Sequence, residues 1–221
     1  MVSYAVPIRF HEFSMSSPWI NSLLYYFLSQ NKKLSHDYFE KECIDSGISL
    51  SLTKASVLVP FLDLNGEINI LLTNRSAHLE DHAGQVSFPG GRIDSTDISP
   101  VDTATRESYE EVGIESKNIN ILGCLDAYQT GTGFRIMPIL AMIDHQTKFN
   151  INHEEVDSIF FLPLRFLMDS KNHSREIKSF KQGDRSYDYD FNVIQYKDNY
   201  IWGATAGMLI NLYDVLKSKL R

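Results

Sequence analysis

One stretch of the chain, from Ser99 to Gly113, is delimited as a helix at both ends by local chemistry. Ser99 offers an N-cap oxygen, Pro100 suits the first helical position, Asp102 puts an acid in the first turn, and Gly113 supplies a left-handed stop. The spacing predicts a helix over 100–112. Around it lie runs that read as strands. KASVLVPFLDL and EINILLT are apolar, rich in branched residues, and joined through Asn65-Gly66, the dipeptide best suited to a two-residue hairpin turn. INILGCLDAYQ, RIMPILAMI and DSIFFLPL are three further short strand candidates. ATAGMLINLYDVLKSKL carries Met208, Leu209, Leu212, Val215 and Leu216 on one side and reads as a closing amphipathic helix. The charged stretch HSREIKSFKQGDRSYDYD reads as an exposed loop or hairpin. Upstream, Ser17-Pro18 opens a helix with Ile20, Leu23, Leu24 and Phe27 at helical spacing, and a second runs from about His36 to Asp45. The order predicts an α+β fold, a layered α/β/α domain over 51–221, preceded by an N-terminal helical extension over 1–50.

The predicted helix carries unusual charge. Glu107, Glu110 and Glu111 stand at i, i+3 and i+4 and project from one face. Like charges at that spacing cost a few tenths of a kcal/mol per pair, and Arg106 neutralises only part of them. A divalent cation would answer the rest, and hard oxygen ligands suit Mg²⁺ or Mn²⁺ better than a soft metal. Such sites commonly leave positions for water and substrate phosphates. On these residues alone, a plain solvated acidic face stays open.

Composition narrows the partners. The net charge is -7 without a basic block, so the footprint of a duplex nucleic-acid binder is missing and a small-molecule substrate is the default. Cys43 and Cys124 lie far apart and outside any CxxC, giving neither a disulfide framework nor a zinc site. The start carries Arg9, His11 and Glu12 where a signal peptide needs an apolar run, and no stretch reaches the length of a membrane span. A soluble, cytoplasmic protein is expected, away from membranes; a homodimer is left open.

Gly91, followed by Arg106-Glu107-Ser108-Tyr109-Glu110-Glu111-Val112-Gly113, resembles the box of the Nudix hydrolases. That box runs Gly, five residues, Glu, seven residues, Arg-Glu, an apolar residue, any residue, Glu-Glu, any residue, Gly. The chain departs from it in having one extra residue before Arg106, Asp97 in place of the first Glu, and Ser108 at the apolar position. The first two departures are similar to the coenzyme A diphosphatase branch, whose upstream signature has the form LLTxRSxxLRxHxGxVxFPGG. The chain reads LLTNRSAHLEDHAGQVSFPGG from Leu71 to Gly91, with Glu80 where the arginine stands. Weaker likenesses in TGTGFRIMPIL, EEVDSIFFLPL and YIWGATAGML extend the resemblance over roughly residues 55 to 215.

The resemblance implies a Nudix-type α/β/α sandwich with a mixed sheet and metal-assisted hydrolysis of a diphosphate. It assigns Glu107 and Glu111 as metal ligands with Glu110 sharing the site, Arg106 as the residue orienting a box glutamate, and Glu155 as candidate general base. Arg75, Ser76, His82 and Gln85 would bind substrate, and Gly90 and Gly91 would let the backbone approach it. The substrate implied is coenzyme A or a derivative, cleaved to 4′-phosphopantetheine and adenosine 3′,5′-bisphosphate. Alternatives are a Nudix hydrolase of ADP-ribose, a dinucleotide or a nucleoside triphosphate, or a catalytically silent ligand sensor. His78, Trp202 and both cysteines are expected to serve packing.

Overall fold

A computed structural model describes residues 52–79, 81–182 and 185–219. The two expected N-terminal helices, Cys43 and Glu80 lie outside the described residues. The first two strands, β1 (Thr53–Leu64) and β2 (Glu67–Arg75), form the hairpin anticipated from Asn65-Gly66. Asn65 and Gly66 have φ of 58° and 84°, the pair of left-handed residues that a type I′ turn requires, and Asp63 Oδ1 accepts from the Gly66 amide at 2.7 Å.

Six more strands complete the main sheet: β3 (Val86–Ser87), β4 (Gly90–Arg92), β5 (Ile119–Cys124), β6 (Tyr128–Gln129), β7 (Phe134–Ile143) and β8 (Val156–Pro163). Its central path is β3-β2-β1-β7-β5, with β4 on β1, β6 on β7 and β8 on β2. The β1–β7 pair is parallel and the remaining pairs are antiparallel, so the sheet is mixed.

Among the described residues three helices accompany the strands: α1 (Pro100–Val112), the single turn α2 (Leu164–Leu167) and α3 (Gly203–Lys219). The alternation of β1 shows how the layers form. Leu58 and Leu62 share one buried cluster with Ala104 and Val112 of α1. Val57, Val59 and Phe61 share the other with Met208, Leu209 and Leu212 of α3. Because both faces of β1 are covered, its sequence is continuously apolar rather than alternating. The result is an α/β/α sandwich around a mixed sheet.

The charged stretch after α2 is the hairpin β9 (His173–Gln182) and β10 (Arg185–Tyr196), extended by β11 (Asn199–Trp202) into a separate antiparallel sheet. Ile194 and Ile201 root this sheet in the α3-side core, while Arg175 pairs with Asp190 at 2.8 Å on its exposed part. Among the described residues no helix is long and apolar enough to cross a membrane.

The buried α1-side cluster sets a stability prediction. Leu71→Ala, at a residue with 0% exposure, should lower unfolding free energy by about 2–5 kcal/mol in urea titrations, whereas Ile98→Ala, at 72% exposure, should stay within about 0.5 kcal/mol.

Candidate active site

Helix α1 begins where Ser99 Oγ accepts from the Asp102 amide at 3.3 Å and ends at Gly113, φ 74°. Ser108, at the position where the box is apolar, is fully buried, and its hydroxyl donates to the Ala104 carbonyl at 2.6 Å. The hydroxyl is thus satisfied within its own helix, and the core tolerates it. The three glutamates form a graded fan. Side-chain exposure is 2% for Glu111, 16% for Glu107 and 47% for Glu110.

The Gly90-Gly91 corner is what makes room for the two inner carboxylates. Strand β4 runs antiparallel to β1 at Ser56 and Val57, and the Gly90 amide donates to Glu111 Oε2 at 3.2 Å. A Cβ on Gly90 would lie 2.5 Å from the Ser56 carbonyl oxygen, and one on Gly91 would lie 2.5 Å from Glu107 Cδ. Any side chain at either position would displace backbone or a box carboxylate.

Arg106 is locked in place. Its Nε and Nη2 donate to the two oxygens of Asp97 at 3.1 and 2.9 Å, and Nη1 donates to Glu107 Oε1 at 2.9 Å and Glu110 Oε2 at 3.0 Å. The guanidinium fork holds the Asp97 carboxyl down at about 2 and is itself held above its ordinary value, chiefly by Asp97. The departure at Asp97 therefore has a local use: the shorter acid anchors the arginine that orients Glu107.

The loop carrying Glu155 docks on the end of α1. Helix termini leave carbonyls without intrahelical partners, and here the Val112 and Glu111 carbonyls accept from the amides of Asn150 and Asn152 at 3.0 and 2.9 Å. Gly113 permits this approach, since a Cβ there would lie 2.8 Å from Asn150. Asn152 then donates its side-chain amide to Glu155 Oε1 at 3.2 Å. The role of Asn152 was not anticipated; its signal was the turn-forming Asn-x-Asn just ahead of Glu154-Glu155.

The upstream signature closes the other side. Where β2 pairs with β8 the register shifts between Asn74 and Arg75, a bulge of the kind that re-aims side chains. The Arg75 amide donates to the Gln85 carbonyl and the Ser76 amide to the Glu155 carbonyl, both at 2.9 Å. Arg75 Nη1 stands 3.7 Å from Glu111 Oε1. Ser76 is 4% exposed, whereas the His82 Nδ1 to Gln85 Oε1 contact, 3.0 Å, lies at the surface. His78 is exposed rather than packed, Trp202 stacks edgewise on Phe191 at 5.4 Å, and Cys124 is buried.

Burial dominates the electrostatics. It pushes the Glu111 carboxyl up to about 8, opposed by Arg75 and the Gly90 amide and reinforced by Glu107 and Glu155. Glu107 is also raised, by burial first, with Arg106 opposing and Glu110 and Glu155 adding to it. The structure thus brings Glu107, Glu111, Glu155 and Arg75 together and turns Glu110 and His82 outward. Among the described residues no three acid, histidine or cysteine side chains form a ready cage. The donor chemistry nonetheless fits a hard divalent cation: the oxygens repel one another, and a buried carboxyl near 8 ionises at neutral pH when positive charge arrives.

Two outcomes follow from this geometry. Asp97→Asn should cost about 1–2 kcal/mol at neutral pH, a reduced figure because Arg106 is 30% exposed and solvent screens the pair. Since the folded-state value of Asp97 is depressed from 3.8 to about 2, the deficit relative to wild type should shrink as pH falls through that window in thermal melts. Gly91→Ala should weaken Mn²⁺ binding in titration calorimetry by roughly tenfold or more, through displacement of Glu107.

The family model for the NUDIX domain matches residues 52–182. A Pectobacterium atrosepticum protein named Uncharacterized Nudix hydrolase NudL is 38% identical over 161 residues, 72% of this chain and 80% of its own length. A Yersinia pestis protein of the same name is 32% identical over 197 residues, 89% of this chain and 92% of its own. Among solved structures, a MutT/nudix family protein from Enterococcus faecalis shares the fold, with a TM-score of 0.50 at 13% identity over 90% of this chain and 74% of that one. With the box glutamates held at a glycine corner and the matched domain covering most of the sandwich, the chain belongs to the Nudix family and is a hydrolase of diphosphate bonds.

Proposed function

We propose that the enzyme cleaves the diphosphate of coenzyme A or its derivatives, releasing 4′-phosphopantetheine and adenosine 3′,5′-bisphosphate. The observation that carries this reading is the course of Leu71–Gly91. Starting on β2 and ending with the Gly90 amide on Glu111, this signature-like stretch borders the carboxylates at both ends, through Arg75 and through Gly90. Substrate selection by Arg75, Ser76, His82 and Gln85 would therefore act next to the bond that breaks.

Glu107 and Glu111 are the residues that would hold Mg²⁺ or Mn²⁺, with Glu110 adding charge at the outer rim. The bound cation supplies positive charge that neutralises the diphosphate oxygens. Arg106 keeps Glu107 aimed inward. Glu155, oriented by Asn152, removes a proton from the attacking water as its oxygen bonds to phosphorus. The bridging P–O bond breaks, and its electron pair leaves with the departing phosphate monoester. Arg75 is suited to charge-assisted hydrogen bonds with the diphosphate oxygens.

A mass-spectrometric product assay on coenzyme A, ADP-ribose and nucleoside triphosphates, each with Mg²⁺ or Mn²⁺ and with EDTA as control, tests the reading. Metal-dependent phosphopantetheine, formed faster than any other product, is expected. Turnover of ADP-ribose or a triphosphate alone would overturn the coenzyme A assignment and keep the chemistry. Glu111→Gln should reduce kcat by roughly 10³-fold with circular dichroism unchanged, and wild-type rates from that variant would remove Glu111 from the site.

A further inference from the structure

We infer that Arg75 occupies the cation position beside Glu111 in the metal-free enzyme, and that a divalent cation must displace its guanidinium before the carboxylate can serve as a ligand. The inference rests on the reading that Glu111 holds metal. It starts from a contrast between two arginines. Arg106 is clamped by a bidentate pair to Asp97 at 2.9 and 3.1 Å. Arg75 reaches Glu111 at only 3.7 Å, within ion-pair range and well beyond a charge-assisted hydrogen bond. Its Nε is buried without a hydrogen-bond partner among the described residues. A buried, unsatisfied N–H is destabilising, so the side chain gives up little on leaving this pose. Its 24% exposure opens a way out, whereas Glu111, at 2%, cannot follow.

A divalent ion on Glu111 would stand within a few ångströms of the guanidinium, and like charges at that separation in a partly buried site repel strongly. The cation and Arg75 are therefore alternative partners for one carboxylate. Until metal arrives, the guanidinium is engaged; afterwards its donors are free for an anion. Arg75 acts as a positioning residue that couples metal loading to the readiness of the site for a diphosphate. The backbone is not required to move, because the Arg75 amide stays on the Gln85 carbonyl.

Mn²⁺ titrations of the full chain without substrate, read by the electron paramagnetic resonance of free ion, test this. Arg75→Gln should bind Mn²⁺ roughly tenfold more tightly than wild type. Arg75→Lys, which keeps the charge, should fall between the two. Arg165→Gln, at an arginine 75% exposed and paired with Glu67, should leave affinity unchanged. Equal or weaker binding by Arg75→Gln overturns the inference. If that variant does not fold, the wild-type chain decides: the Arg75 Nε–H signal in ¹⁵N spectra should shift on saturation with Mg²⁺, and an unmoved signal overturns the displacement. Absence of any Mn²⁺ binding by wild type would overturn both this inference and the metal-dependent function, whereas binding insensitive to Arg75 overturns only the former.

Discussion

Glu111 is 2% exposed, and a carboxylate so placed stays charged only where something answers it. Much of the site is arranged around that demand. The Gly90 amide reaches one oxygen, Arg75 approaches the other, and β4 comes close enough only because residues 90 and 91 lack side chains. The same residue serves through its main chain as well, since its carbonyl holds the Asn152 amide and so the loop that presents Glu155. Side chain and backbone of one residue thereby link the buried carboxylates to the loop that carries Glu155.

Rigidity is distributed unequally around this centre. The Asp97–Arg106–Glu107 chain is closed by hydrogen bonds of about 3 Å and behaves as a brace for α1. Arg75, on a β-bulge, stands 3.7 Å from Glu111 and has no partner on Nε among the described residues. On the proposed reading, a site that takes up a cation and then a polyanion benefits from one arginine of each kind.

The legibility of these features in sequence follows the range of the forces behind them. Helix α1 was readable to the residue because caps act locally, and the β1–β2 turn because Asn65-Gly66 selects its own backbone geometry. The fold family was readable from the box and the upstream signature. The second sheet was half readable, its charged stretch fitting loop and hairpin alike, because β9 and β10 are polar over most of their length and gain their order from pairing with each other and from the rooting of Ile194 and Ile201. His78 was expected to pack and is exposed, in a turn where its amide donates to the hydroxyl oxygen of the buried Ser76 at 3.4 Å. The Arg75–Glu111 pair depends on a register shift between distant strands, and no local pattern announces one.

The connection from β4 to α1 carries one residue more than the Nudix box, yet the glutamates stand where the corner needs them. Between its ends the loop is closed on itself: Asp94 Oδ1 accepts from the Thr96 amide at 2.9 Å, and the Asp94 amide donates to Asp97 Oδ2 at 2.9 Å. Ile93 ties its start to Lys54, and Ser99 restarts the chain as a cap. Length is thus absorbed in a self-bonded turn before the helical phase is set. Residues 93–98 form an expansion joint that takes up the extra residue outside the helix, whereas one inserted between Pro100 and Glu107 would turn both glutamates away by about 100°.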